Sequence, residues 1–166
     1  MVRGLASIEY EACGLPDVWL DNWPVHTCPH CRIEVPELPN AEATAREITC
    51  RLVLRRSKLD ADAILFIRKT LHLTAQALAD LLGTGRVEVS RWENGRVQIS
   101  PHVEYRLRLL AIDRITPPET RSAAKGAVYD VIEHGYESVG GQIRISQGRQ
   151  GEIRFSEQSI SSFASA

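Results

Sequence analysis

Four residues between positions 75 and 94 most strongly limit the folds open to this chain. Leu78 and Val89 are spaced to face the interior of two consecutive helices, and Ala79 is small enough for those helices to cross closely. Gly83 stands where the chain turns, and glycine readily adopts the positive φ that such a turn requires. The window predicts a helix-turn-helix; the alternative is an ordinary αα-corner in a helical bundle.

The residues on either side of this window also predict helices. Asp60 and Thr74 are typical N-cap residues, and Ser100 followed by Pro101 is a typical helix start. Apolar residues recur with a helical period, as in Ile64, Ile67 and Leu71 and in Val103, Leu107 and Leu110. We therefore expect residues 59–114 to form an all-α domain.

The N-terminal segment has a strand-like pattern instead. Residues 5–34 contain short apolar stretches separated by Gly, Pro and Asn residues, which predicts a small β-meander. From residue 41 to about residue 56 the apolar positions follow a helical period. We therefore expect the meander within residues 1–39 and a linking helix within residues 40–58.

Residues 115–156 are predicted to form one further helix and a β-hairpin. Thr116 and Glu119 have the spacing of a capping box at the start of the helix. Beyond the helix, residues 142–146 and 152–156 alternate in polarity on either side of a Gly-containing turn. The fold class is therefore α+β, with an N-terminal β-meander, an all-α helix-turn-helix domain, and a C-terminal helix and hairpin.

The last ten residues, 157–166, are rich in serine and are predicted to be a disordered tail. No apolar run approaches the roughly 18 to 20 residues that span a bilayer, and the first residues reach a charge before a signal-peptide core can form. We therefore expect a cytoplasmic protein with no membrane partner.

Charge is unevenly distributed along the 166 residues, although the net charge is only −1. Residues 1–45 carry two basic and seven acidic residues, a net charge of −5. Residues 46–114 carry 13 basic and eight acidic residues, a net charge of +5. The middle block is therefore the part suited to a polyanion such as nucleic acid.

Cys28 and Cys31 have the spacing of a zinc knuckle, in which two thiolates on one tight turn bind the same tetrahedral ion. Cys13, on a separate turn, is the third candidate ligand. The candidates for the fourth ligand are His26, which we adopt, His30, Cys50 and water. The pattern predicts a structural zinc ion as cofactor; the alternative is a degenerate knuckle that folds without metal.

The sequence Cys-Pro-His-Cys is also familiar from thiol-disulfide oxidoreductases. In those enzymes the motif begins a helix that follows a strand. Pro36 and Pro39 lie shortly downstream and leave no room for such a helix. This position disfavours an oxidoreductase.

The segments 71–83 and 89–95 resemble the Cro/phage-repressor, or Xre-type, helix-turn-helix family, and the resemblance covers about residues 60–114. It implies that the second motif helix enters the major groove of double-stranded DNA and reads bases with Arg86, Val87 and Arg91. Arginine offers a fork to guanine O6 and N7, and valine an apolar contact to a thymine methyl group.

Other residues of the same motif are expected to assist DNA binding. Glu88 is expected to accept a hydrogen bond from cytosine N4, or to repel phosphates and so fix the register. The residues expected to contact backbone phosphates are Thr74, Gln76, Ser90 and Arg96.

The chain departs from the family pattern at two positions. The family usually has Gln as the second residue of the first motif helix, where this chain has Ala75 followed by Gln76. The turn before Thr74 usually carries Gly, where this chain has His72. We expect His72 to adopt the left-handed region at a cost of about 1 kcal/mol.

The whole layout of residues 8–114, including the segment 13–20, resembles the MqsA/YgiT-type antitoxin family. That resemblance implies a zinc-bearing N-terminal domain that engages a toxin protein. It also implies a C-terminal domain that dimerises and represses an operon. Residues 115–166 have no counterpart in that family.

These observations predict a dimeric, sequence-specific transcriptional repressor, with an autorepressing antitoxin as the finer interpretation. The alternative is a protein-protein interaction module whose DNA-binding domain is vestigial. An enzyme is not expected, because the five histidines are scattered and no catalytic pair has suitable spacing. We expect the helix after Ser100 to form the dimer through Tyr105, Leu109 and Ile112, unless residues 117–134 cover that flank.

Overall fold

The structure is a computed structural model that describes residues 1–136, 142–147 and 153–155. The chain divides into two compact units. The sheet unit comprises Met1–Thr44 and Gly141–Ala166, and the helical unit comprises Ala45–Gly140. The observed strands and helices confirm the predicted α+β class.

Three strands near the N-terminus form the predicted meander. They are β1 (Val2–Glu9), β2 (Val18–Thr27) and β3 (Glu34–Pro36), and β2 is antiparallel to both of the others. A short 3-10 turn, Glu11–Cys13, lies between β1 and β2. Every second residue of β2 is buried at each end of the strand, as expected when one face of a sheet is covered.

The C-terminal hairpin joins the same sheet. Strands β4 (Ile143–Gln147) and β5 (Ile153–Phe155) are antiparallel, as predicted, but β4 also runs parallel to the first half of β2. The sequence predicted the hairpin but not its pairing with β2, because a pairing between residues more than 120 positions apart leaves no local signal. The predicted tail, residues 157–166, lies outside the described residues.

Arg144 on β4 and Asp21 on β2 connect the two parts of the sheet. The Arg144 Nε and Nη2 atoms each donate a hydrogen bond to an oxygen of Asp21 at 2.7 Å. The same guanidinium carbon lies 5.5 Å from the ring centroid of Trp19. Hydrogen bonding to Arg144 lowers the pKa of Asp21 below its ordinary value. The pair therefore favours the parallel register of β4 beside β2.

Six helices follow the meander. They are α1 (Ala41–Leu54), α2 (Ala61–Thr70), α3 (Ala75–Leu82), α4 (Arg86–Glu93), α5 (Pro101–Ile115) and α6 (Pro118–Glu133). Two predicted caps form, since Asp60 accepts a hydrogen bond from the Ala63 amide at 2.8 Å and Thr74 accepts one from the Ala77 amide at 3.1 Å. Ser100 is the N-cap of α5, as predicted, although its side chain makes no capping hydrogen bond.

The predicted capping box at Thr116 and Glu119 is wrong. Pro117 is the N-cap of α6, and no side chain caps this helix. Thr116 ends α5 instead, and its backbone N–H donates to the Ile112 carbonyl at 3.0 Å. Thr116 is buried, and its side chain does not cap α6.

The buried face of α5 is centred on an ion pair that the sequence analysis missed. Glu104 and Arg108 are fully buried beside Leu107, Ala111 and Ile112. This set corrects the predicted stripe, because Val103 and Leu110 are only half-buried. The four-residue spacing of Glu104 and Arg108 is the signal for a helical ion pair, but charged residues at that spacing usually lie on the solvent-exposed face of a helix.

Arg108 satisfies carbonyl groups in the last turn of α1 and in the segment that follows it. Its guanidinium donates to the carbonyls of Val53 at 2.7 Å, Arg55 at 2.9 Å and Ser57 at 2.7 Å. The Glu104 carboxylate accepts from Arg108 at 2.7 Å and from the Leu59 amide at 3.2 Å. One buried pair therefore fixes the segment between α1 and α2 against α5.

Helix α6 packs along α5. Lys125 on α6 lies 2.7 Å from the Asp113 carboxylate on α5, and Arg121 lies 3.8 Å from it. Asp113 is one turn beyond Leu109, so the two residues share a helix face. Helix α6 therefore contacts the last turn of α5 on the face that also carries Leu109, one of the residues predicted to face a second subunit.

Candidate nucleic-acid interface

In the packing of α3 against α4, each residue that defined the motif takes the position predicted for it. Leu78, Ala79 and Val89 are fully buried, and Trp92 one turn later is buried as well. Gly83 adopts a φ of 64° as the C-cap of α3, and its N–H reaches the last turn of that helix. The close crossing at Ala79 and the left-handed turn at Gly83 thus give α4 a defined orientation.

His72 adopts the strained conformation expected of it. Its φ is 54°, in the left-handed region that favours glycine. The turn places Thr74 at the start of α3, and the Leu73 amide donates to the Arg68 carbonyl at 3.1 Å.

One face of α4 is open to solvent. Arg86, Val87, Ser90 and Arg91 are exposed, and Val87 retains 63% of its accessible surface despite its apolar side chain. Glu88 lies beside them and accepts a hydrogen bond from Arg91 at 2.7 Å. The exposed face therefore offers two guanidinium groups, one hydroxyl and one apolar contact. These groups suit the edges of bases in a DNA groove.

The other predicted contact residues border this face. Thr74, Gln76 and Arg96 are all exposed. The Thr74 hydroxyl caps α3, and Gln76 donates a hydrogen bond to Asp80 at 2.8 Å. The family usually has Gln where this chain has the half-buried Ala75. The neighbouring Gln76 is exposed, so a glutamine side chain is still available at the surface one position further along.

Two residues that support α4 were missed by sequence analysis. Arg68 on α2 donates to the Glu93 carboxylate at the end of α4, with Nη2 to Oε2 at 3.0 Å. Arg68 also donates to the Leu73 carbonyl at 2.9 Å, in the turn before α3. Their separation of 25 residues gives no local pattern, so only the fold reveals the pair.

The structure does not bring the predicted zinc ligands together. Cys13 precedes β2 and Cys28 follows it, so the ten residues of β2 separate their positions. At about 3.3 Å per residue the ends of this strand lie about 30 Å apart, whereas thiolates that share a zinc ion lie within about 4 Å of one another. Cys13 and Cys28 therefore cannot bind the same ion.

The remaining candidates for the zinc site have other surroundings. His26 Nε2 lies 2.8 Å from the Glu37 carboxylate. Cys50 belongs to the helical unit, where burial raises the pKa of its thiol to about 11. Among the described residues, three ligand atoms gather within 4.8 Å only at the exposed Asp130, Glu133 and His134. The residues present therefore do not fit a four-coordinate structural zinc site.

Residues 64–107 match the model of the family described as Helix-turn-helix. The match extends from α2 into α5 and confirms the Xre/Cro-type part of the resemblance. No curated protein and no solved structure matches the chain. The match supports a DNA-binding transcriptional regulator. Within the described ranges, no helix combines the length and apolar character needed to span a membrane.

Proposed function

We propose that this chain is a sequence-specific DNA-binding repressor that inserts α4 into the major groove. The observation that carries the proposal is the exposed face of α4, mounted on a helix whose opposite face is buried through Val89 and Trp92. A recognition helix needs this combination, because base edges are read only when the reading side chains are held in a fixed register.

The residues of this face take different roles. Arg86 and Arg91 are the guanine readers, since a guanidinium can donate two hydrogen bonds to O6 and N7 of one base. Val87 contacts a thymine methyl group. Glu88 orients Arg91 through their 2.7 Å hydrogen bond, which leaves one carboxylate oxygen for cytosine N4. Thr74, Gln76, Ser90 and Arg96 contact phosphates around the groove.

DNA selection from a random duplex pool by the full chain tests this function. We expect an enriched sequence that binds far more tightly than a scrambled duplex. Arg86→Ala and Arg91→Ala should each cost about 1 to 3 kcal/mol on the selected duplex and much less on the scrambled one. The control is Arg114→Ala, which removes an exposed arginine from the last turn of α5.

Two outcomes would overturn the assignment. Absence of any enriched duplex would refute sequence-specific binding and would favour the alternative of a protein-protein interaction module. Equal losses on both duplexes for Arg86→Ala and Arg91→Ala would make these residues phosphate contacts and remove base reading from α4.

The repressor is proposed to act as a homodimer. One recognition helix reads only half of a site, and a two-fold dimer places two such helices about one DNA turn, roughly 34 Å, apart. Light scattering should then give about twice the chain mass of 18.5 kDa. A monomer that binds an asymmetric site with equal affinity would contradict the dimer.

An antitoxin that represses its own operon is the finer form of this proposal. It rests on the resemblance of residues 8–114, and it requires a toxin partner and a cytoplasmic location. Co-expression of the chain with the product of the neighbouring gene tests it. We expect a stable complex in which the partner's toxicity is lost. Unchanged toxicity with no complex would remove the antitoxin role and leave DNA binding intact.

A further inference from the structure

Strand β1 lies at the edge of the sheet. Among the described residues it pairs with β2 alone, whereas β3 and β4 pair with β2 from its other side. Two steps along β1, from Ala6 to Ile8, match three steps along β2. The extra residue is therefore on β2, where Asn22 has a φ of 50°. Strand β1 thus keeps a regular outer edge, on which alternate residues direct their backbone N–H and C=O groups away from β2.

The middle of this edge lacks the features that usually prevent strands from pairing. Edge strands are commonly protected by proline, by charged side chains or by bulges. The five residues from Gly4 to Ile8 contain neither proline nor charge. Apolar side chains are also exposed on β1, since Val2 and Leu5 retain 66% and 64% of their accessible surface. The edge is therefore suited to an additional strand.

The side chains of β1 divide between the two faces of the sheet. Gly4 and Ile8 lie opposite fully buried residues of β2 and share the inner face. Arg3 and Glu9 lie opposite half-buried residues of β2 and share the outer face. Both charged side chains are exposed, and Ala6 is midway between them. A two-fold axis at Ala6 would therefore bring each positive charge opposite a negative one.

We propose that two copies of this chain pair their β1 strands antiparallel, with Ala6 of one copy opposite Ala6 of the other. The inference rests on the homodimer of the proposed function and gives that dimer its interface. Each copy then places Arg3 opposite Glu9 of the other copy, which makes two ion pairs at the ends of the shared ladder. The two sheets become one continuous sheet, and the backbone groups of both open edges are paired.

Charge selects this register over its neighbours. The Arg3 side chain is 69% exposed although it lies 2.8 Å from Glu37, and the Glu9 side chain makes no ion pair with any described residue. Opposite charges directly across a ladder stabilise it, and like charges destabilise it. A shift of one residue would oppose side chains from different faces. A shift of two residues in either direction would separate Arg3 from Glu9.

The open space beside Gly4 suits the same register. A Cβ atom at Gly4 would meet no other atom within 4 Å, so the inner face is uncovered at this position. Glycine within a strand often marks a place where another backbone approaches closely. In the proposed pairing Ile8 of the second copy lies opposite Gly4, and its side chain can cover this space. Ile8 is only half-buried in the single chain and gains burial in the same contact.

Charge reversal tests the pairing. Sedimentation equilibrium of the full chain without DNA measures the dissociation constant of the dimer, and the parent should have about twice the chain mass of 18.5 kDa. Arg3→Glu and Glu9→Arg should each raise that constant about tenfold, because two opposite-charge contacts become two like-charge contacts. The combined variant should return close to the parent. Glu34→Arg makes the same charge change at an exposed residue of β3, and this matched control should leave the constant unchanged.

Recovery in the combined variant reports on contacts between copies. Within one chain positions 3 and 9 are six residues apart, or about 20 Å along a strand, which is too far for a contact. The combined variant also lacks the contact from Arg3 to Glu37, so repair of that contact cannot explain the recovery. Thermal unfolding of each variant shows that the comparison is made on folded protein.

Cross-linking tests the register. Ala6→Cys and Leu5→Cys are each treated with a short bismaleimide, and peptide mass spectrometry distinguishes links at the new cysteine from links at the native ones. We expect Ala6→Cys to be joined to its counterpart in the second copy faster than Leu5→Cys, because Ala6 lies on the two-fold axis.

The outcomes separate this inference from the proposed function. A monomeric parent would overturn both the interface and the homodimer. A dimeric parent whose dissociation constant is unchanged by Arg3→Glu and Glu9→Arg would overturn the interface alone, as would a combined variant no tighter than the single variants. Faster cross-linking of Leu5→Cys would overturn the register with Ala6 on the axis. DNA selection is a separate measurement, so failure to enrich a duplex would refute sequence-specific DNA binding and leave the β1 interface standing.

Discussion

Arg68 on α2 and Glu93 on α4 form a largely buried ion pair that fastens the end of the candidate recognition helix to the rest of the domain. The Arg68 Nη2 atom lies 3.0 Å from the Glu93 Oε2 atom, and Nη1 donates to the Leu73 carbonyl at 2.9 Å. The side chains retain only 16% and 10% of their accessible surface. One guanidinium therefore connects α2, the turn at His72 and α4.

Removing Arg68 should destabilise the helical unit. Arg68→Ala leaves the Glu93 carboxylate largely buried without this partner, which should lower the free energy of unfolding by about 2 to 4 kcal/mol. Urea unfolding measures the loss. Arg91→Ala, which breaks the exposed pair with Glu88, is the control and should cost at most about 1 kcal/mol. Similar losses for both variants would show that the Arg68 pair is as weak as a surface pair.

The buried pair between Glu104 and Arg108 gives a second prediction. Arg108→Met should lower the free energy of unfolding by about 3 to 5 kcal/mol, because the Glu104 carboxylate and the carbonyls that end α1 lose their donor. Adding Glu104→Gln should recover part of this loss by removing the buried charge. A double-mutant cycle measures the recovery. Additive losses in the cycle would mean that the two residues act independently.

The pairing of Asp21 with Arg144 predicts a pH dependence of the sheet unit. Because Arg144 lowers the pKa of Asp21 in the folded state, the pair stabilises the fold above the unfolded-state pKa of about 4. That contribution is lost as the pH falls through the lower folded-state pKa. Asp21→Asn should therefore cost about 1 kcal/mol at neutral pH, and the gap to the parent should close in acid.

Urea unfolding followed by tryptophan fluorescence in a Trp92→Phe background reports on the sheet unit, where Trp19 and Trp23 remain. Glu11→Gln, which neutralises an exposed carboxylate in the same unit, is the control. A constant gap between Asp21→Asn and the parent at every pH would show that the ionisation of Asp21 makes no contribution.

A substitution at Leu109 tests where the proposed dimer forms. A dimer formed through Tyr105, Leu109 and Ile112 would make Leu109→Glu a folded monomer, but Lys125 on α6 pairs with Asp113, one turn beyond Leu109. We therefore expect Leu109→Glu to remain dimeric and to lose about 1 to 3 kcal/mol of stability. Arg114→Glu on the exposed side of α5 should have little effect. Light scattering that shows a folded Leu109→Glu monomer would restore the interface predicted from the sequence.

The sequence was most informative where one residue type serves one local conformation. Gly83 in the left-handed turn, Thr74 at the cap of α3 and the small Ala79 at the crossing are each set by neighbours within a few residues. The positive φ of His72 was also predicted, because a turn that normally needs glycine imposes the same φ on the residue that replaces it.

Interactions between distant residues were not predictable in this way. Arg68 and Glu93 are 25 residues apart, and Asp21 and Arg144 are 123 apart, so neither pair forms a pattern in the sequence. The full set of zinc ligands was not predictable for a related reason, because spacing within a turn describes Cys28 and Cys31 alone. The length of β2 decides whether Cys13 can reach them.

The parallel pairing of β4 with β2 has a consequence for biosynthesis. The helical unit is one uninterrupted stretch of chain, whereas the sheet unit is built from both sides of it. During translation the helices can fold as soon as they emerge, while β1 and β2 must wait for residues 143–147 before the edge beside Val18 to Asp21 is paired. A ribosome that stalls in between would display an unpaired strand edge, so the time spent translating α1 to α6 sets how long the nascent protein is exposed to aggregation.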